Sequence, residues 1–78
     1  MKKKRFLIFE RDLGEKEPVY HVINKRFGEN LGTIYYDSKW RKFVFDTYDS
    51  YYDALCLEQV VEFLKALDKR GYKNLWRQ

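Results

Sequence analysis

His21 is the only histidine and Cys56 the only cysteine of this 78-residue chain, and these two side chains are the candidates for acid–base or nucleophilic chemistry at neutral pH. His21 falls in the stretch VYHVINK, where sequence alone places no carboxylate or nucleophile beside it. Cys56 falls in the first turn of an expected helix, where the dipole lowers a thiol pKa and favours a thiolate. Its place on that helix's apolar arc reads instead as a small buried hydrophobe. Without a nucleophile, a base and an orienting group that could be assembled, the chain does not read as an enzyme, and neither a cofactor nor a small-molecule substrate is expected. Asp46, Asp49 and Asp53 could gather a cation. They lack the alternating acids, turn glycine and closing glutamate of a calcium loop, so solvated loop acids and a helix cap explain them and no metal is expected.

The remaining chemistry is that of binding. SKWRKF interleaves cations with rings, and Trp40, Arg41 and Lys42 on a hairpin are the ingredients of a single-strand nucleic-acid surface, where rings stack bases and cations take phosphates. The arm Lys2, Lys3, Lys4 and Arg5 would add to it. The net charge of +4 comes from that arm, so the body is neutral but uneven. Phe43 to Leu64 carries Asp46, Asp49, Asp53, Glu58 and Glu62 with no Lys or Arg, whereas Lys65 to Gln78 carries five positive residues against Asp68. A single cysteine excludes an internal disulfide framework and suits a reducing compartment. Only four apolar residues follow the basic start before Glu10, too few for a signal-peptide core or a membrane span, and a soluble, cytoplasmic protein is expected.

Elements that would position these residues follow from periodicity. The chain reads as one domain of class α+β, with a basic arm at 1–4, strands and hairpins over 5–46, a helix over 53–70 and a tail at 71–78. Arg5 to Glu10 is apolar on both alternating faces, which suits a strand. Arg11 to Pro18 is a loop. Val19 to Lys25 is a second strand, and Gly28 supplies the positive φ of the next turn. With a one-residue bulge at that turn, Ile23 lies opposite Leu31, Val22 opposite Gly32 and Tyr20 opposite Ile34. A four-residue loop, Asp37 to Trp40, then sets Tyr36 opposite Arg41, Ile34 opposite Phe43 and Gly32 opposite Phe45. These registers define an inner face of Tyr20, Val22, Ile34, Tyr36, Phe43 and Phe45. The outer face holds Val19, His21, Ile23, Leu31, Thr33, Tyr35, Lys42 and Val44. Gly32 leaves room for the ring of Phe45 or for close helix approach.

Asp53, or Ser50 three residues earlier, can cap a helix that ends at Arg70 before Gly71. At 100° per residue Cys56, Leu57, Val60, Val61, Phe63, Leu64 and Leu67 form one apolar arc. One helix covers only one face of a three- or four-stranded antiparallel meander. Val19, Ile23, Leu31, Tyr35 and Val44 on the other face therefore require cover, either from a partner protein or second copy, or internally from Leu75 and Trp76 or the first strand.

The spacing of G-x-I-x-Y in Gly32 to Tyr36, W-R-x-F-x-F in Trp40 to Phe45 and C-L-x-x-V-x-x-F-L-x-x-L-D in Cys56 to Asp68 resembles that of a group of small uncharacterised proteins of bacteria and their phages. The resemblance covers Val19 to Asp68 and implies a short meander followed by one helix. It also implies an accessory protein of a mobile element or its host that acts by binding. The expectation is thus a non-catalytic binding module that engages a protein or a second copy through the outer sheet face. The alternative is a nucleic-acid binder using the arm and the Trp40, Arg41 and Lys42 tip.

Overall fold

The computed structural model describes residues 6–48 and 51–77. The arm Lys2 to Arg5, the calcium candidate Asp49 and the alternative cap Ser50 lie outside them. Four strands, β1 (Leu7–Arg11), β2 (Tyr20–Asn24), β3 (Asn30–Asp37) and β4 (Lys42–Thr47), form one antiparallel sheet in sequence order. A helix, α1 (Ala54–Arg70), and a short 3-10 turn, η1 (Tyr72–Leu75), follow. The fold is α+β, a meander with one C-terminal helix packed on it, as the periodicity predicts.

The helix begins where Asp53 leaves the extended conformation and its Oδ1 accepts the Cys56 N–H at 2.9 Å. It ends at Gly71, whose φ of 90° an L side chain rarely adopts and whose N–H donates to the Leu67 carbonyl. Val60 and Leu67 are buried against the sheet, with Cys56, Phe63 and Leu64 beside them. Each such aliphatic side chain stabilises the fold by roughly 1.5–3 kcal/mol. Leu57 and Val61, expected on the same arc, are 47% and 46% exposed. They lie 60–100° round the helix from Val60, beyond the strip that the sheet covers.

The inner face is composed as expected. Tyr20, Val22, Ile34 and Phe43 are buried, and Tyr36 and Phe45 pack against them. Leu7 and Phe9 of β1 join from the edge, with the Phe9 ring stacked on Phe63 at 4.1 Å. The β3–β4 register is displaced by two residues from the expected one, with Tyr36 opposite Phe43, Ile34 opposite Phe45 and Gly32 opposite Thr47. A displacement of two leaves every side chain on its face, because the side-chain period of a strand is also two. The loop that closes this hairpin is again four residues long, shifted by one to Ser38–Arg41.

One residue does change sides. Leu31, expected on the outer face, is only 4% exposed and belongs to the core. The extra residue of the β2–β3 hairpin sits in β3 and not in the turn. Tyr20 and Val22 pair with Ile34 and Gly32 as expected, but Ile23 pairs with Asn30, which leaves Leu31 without an opposite number. The cause is Asn24. Its side chain accepts the N–H groups of Arg26 and Phe27, its carbonyl accepts that of Gly28, and its own N–H donates to Glu29. That closes the turn one pair early and pushes the bulge up the strand. Asn30 Oδ1 then accepts the Gly32 N–H at 3.1 Å. The Leu31 carbonyl accepts both the Tyr48 N–H and the Tyr52 hydroxyl, at 2.9 and 2.8 Å.

Gly32 has no room for a side chain. A Cβ there would lie 2.5 Å from the Asp46 carbonyl oxygen, 2.7 Å from a ring carbon of Phe45 and 3.0 Å from the Thr47 Cα. The close approach comes from the neighbouring strand and the Phe45 ring together.

Both open edges of the sheet are held by the one helix. Gln59 Oε1 accepts the N–H groups of Phe6 and Leu7 on the β1 edge, each at 3.1 Å. Asp68 Oδ1 accepts the Phe43 N–H on the β4 edge at 3.2 Å. The two side chains are about two and a half helical turns apart and so project from opposite flanks.

Candidate functional site

The two surfaces singled out by the sequence are separated by the sheet. On the outer face, Ile8 and Ile23 pair at one end, and Tyr35 and Val44 pair next to Val19 at the other. Glu10, His21, Thr33 and Asp46 form a polar row between them. Val19, Ile23, Tyr35 and Val44 are half-buried, and Ile8 is 41% exposed. Neither internal cover considered for this face is used. The first strand pairs at the sheet edge, and Leu75, 4% exposed, is buried in the core on the helix side. Trp76 meets Tyr72 edge-on at 5.7 Å on that same side. No helix or strand among the described residues crosses the outer face.

His21 has a partner that sequence reasoning missed. Its Nε2–H donates to Asp12 Oδ2 at 3.1 Å, because the Asp12 N–H continues the β1–β2 ladder by donating to the Val19 carbonyl. The hydrogen bond from His21, followed by one from the Gly14 N–H, holds the Asp12 carboxyl below the usual aspartate value. The only thiol is on the other side of the sheet, packed against the core. Burial, and then a hydrogen bond to Asp53, pushes the Cys56 thiol up, opposite to the lowering expected from the helix dipole. Burial outweighs the dipole because Cys56 faces the core. His21 and Cys56 therefore do not come together. Asp53 is spent on the helix cap, and among the described residues no three His, Cys, Asp or Glu side chains gather as a metal site. No helix of the described residues is long and apolar enough to cross a membrane.

The second surface is a cleft of about 540 Å³ at the end of the sheet where the β3–β4 turn meets η1. The turn is shaped by Asp37, whose Oδ1 accepts the N–H groups of Lys39 and Trp40 and whose carbonyl accepts that of Arg41. Arg41 takes a left-handed φ of 56°, which is costly for a residue with a Cβ. Trp40 is left 68% exposed, and Arg41 and Lys42 are exposed beside it. Across the cleft, the positive φ of Gly71 turns the chain back after α1, and Asn74 Nδ2 donates to the Arg70 carbonyl. This brings Tyr72 flat onto Tyr36 at 4.1 Å and sets Lys73 opposite Arg41 and Lys42 on the cleft wall. The Tyr72 hydroxyl donates to Glu17 at 2.5 Å, a bond that raises the phenol above its ordinary pKa. Arg77 also ties the tail to this loop. Its guanidinium donates to the Leu13 carbonyl and its N–H donates to that of Lys16.

The structure thus unites Arg41 and Lys42 with a third cation, Lys73, that sequence reasoning left in an unassigned tail. Its only signal there was an aromatic pair, Tyr72 and Trp76, just past a helix-ending glycine. Compared with protein-family models, curated proteins and solved structures, the chain matches none.

Proposed function

We propose that this chain is a non-catalytic binding module that pairs with a second copy of itself through the outer face of its sheet. The observation that carries the proposal is the absence, among the described residues, of any helix or strand over Val19, Ile23, Tyr35 and Val44. Two such sheets packed face to face at the usual spacing of about 10 Å would cover both apolar ends of each. The edge route to assembly is less available, because Gln59 and Asp68 already occupy N–H groups on the two edge strands. Pairing would also add buried apolar area to a chain too short to bury much by itself. Leu31 is no part of this surface.

The resemblance to small bacterial and phage proteins supports an accessory role exerted by binding. A lone, half-buried thiol suits a reducing cytoplasm. The test is the solution mass of the wild type and of Val44→Asp and Ile23→Asp, with far-UV circular dichroism as the check on folding. A wild-type mass of twice the monomer, returned to the monomer value by either substitution with the helical signal intact, is the expected result. A monomeric wild type across the accessible concentration range overturns the proposal.

A further inference from the structure

From the cleft between the β3–β4 turn and η1, we infer a site for single-stranded nucleic acid, with phosphates on Arg41, Lys42 and Lys73 and a base against Trp40. Four observations converge on it. Cations from two separate segments face one cleft, and Asp68, the one carboxylate among its walls, is engaged by the Phe43 N–H. Further cations flank the cleft residues along the chain, Lys39 before Arg41 and Lys69 and Arg70 before Gly71. The Trp40 ring, next in the chain to the cleft-lining Arg41, is 68% exposed. Arg41 is held in a left-handed conformation that a glycine would adopt without strain, and its side chain lines the cleft.

Chemistry separates this ligand from others with negative charge. An acidic peptide or free phosphate would use the cations and leave Trp40 idle, whereas every nucleotide offers a phosphate and a flat base one backbone step apart. A duplex keeps its bases stacked and shows only their edges, to an element that enters a groove, so it has no free base face to lay against Trp40. The cleft volume of about 540 Å³ suits one small ligand unit, which fits a strand anchored at one nucleotide and trailing over the basic surface. Lys42 shares its strand face with Val44, but Arg41 and Lys73 lie beyond the outer sheet face, and the cleft variants leave Val44 and Ile23 untouched, so the two proposals are tested separately.

The experiment is fluorescence anisotropy of a labelled oligothymidine with the full chain, repeated over a salt series. Three phosphate contacts give a logarithmic salt slope of about −2 from this site, roughly a twentyfold loss of affinity between about 50 and about 200 mM salt. Combined Arg41→Gln, Lys42→Gln and Lys73→Gln should flatten the slope by about 2. Trp40→Ala should weaken binding roughly five- to a hundredfold, with little change of slope. Lys25→Gln with Arg26→Gln, which removes charge from the turn at the other end of the sheet, should leave binding within about twofold. All four altered side chains at the cleft are exposed or on its wall, and circular dichroism confirms that the variants fold. Failure to bind the oligonucleotide overturns the inference. So does binding that survives the triple substitution, falls equally in the Lys25 and Arg26 control, or is as tight for a duplex of the same length.

Discussion

Replacing Gly32 by alanine tests the packing of β3 against β4 at its tightest point. The added Cβ would meet the Asp46 carbonyl oxygen at 2.5 Å and the Thr47 Cα at 3.0 Å, both backbone atoms, besides the Phe45 ring at 2.7 Å. A flexible side chain could turn away; two backbone atoms of a paired strand cannot move without spreading the sheet. Overpacking of this kind costs about 1–3 kcal/mol, and the rigid neighbours place it in the upper half of that range. The unfolded chain loses freedom on Gly→Ala, which offsets about 0.4–1 kcal/mol. The net destabilisation is about 2 kcal/mol. For a chain of this length total stability is on the order of 4–12 kcal/mol, so the loss is a large fraction of it. At about 4–8 °C per kcal/mol the thermal midpoint should fall by roughly 8–16 °C. Thermal and urea unfolding followed by far-UV circular dichroism measures this directly. Gly28→Ala is the control, because nothing lies within 4 Å of its Cβ and only its φ of 69° opposes the change. A midpoint for Gly32→Ala within about 3 °C of the wild type would refute the close-approach argument.

Two other outcomes follow from the same contacts. Leu31→Ala should cost about 2–5 kcal/mol in urea unfolding and Ile23→Ala markedly less in the monomer, since Leu31 is in the core and Ile23 is only half-buried on the open face; equal costs would mean that Leu31 does not face inward. Asp53 has its carboxyl held below the ordinary 3.8, chiefly by the hydrogen bond from the Cys56 N–H. Its contribution is therefore present above 3.8 and lost as pH falls through the lower folded value. Asp53→Ala should unfold more readily than the wild type at neutral pH, with the difference shrinking towards about pH 2, and a pH-independent difference would show that the ionised cap is not its source.

How much of this could be read from the residues depended on how local the cause was. The helix from its Asp53 cap to Gly71 rests on interactions within one turn of chain and on a 3.6-residue period, and both were legible. The inner face was legible even though the β3–β4 register was misplaced, because a slip of two residues is invisible to alternation. Leu31 was misassigned because a single side chain, Asn24, decides where the bulge falls, and a bulge at Gly28 satisfies the same alternation up to that point. The cleft was only half legible. Trp40, Arg41 and Lys42 are contiguous in sequence, but Lys73 reaches them only through the stacking of Tyr72 on Tyr36, a contact between residues that no local pattern connects. The Asp12 partner of His21 was hidden in a loop for the same reason.

The two side chains with which α1 grips the sheet edges also set a limit to the fold's size. Three inter-strand spacings span about 14 Å, and the nine residues from Gln59 to Asp68 rise about 14 Å along the helix, so the two side chains meet the outer strands from opposite flanks and at opposite ends of the sheet. A fifth strand on either side would displace one of these two contacts from the edge. It would expose a ladder of unpaired amides and leave an apolar strip of the inner face without a roof. In this architecture one helix both roofs the inner face and occupies an amide on each edge strand, so the domain grows by a strand at either side only by giving up one of those contacts.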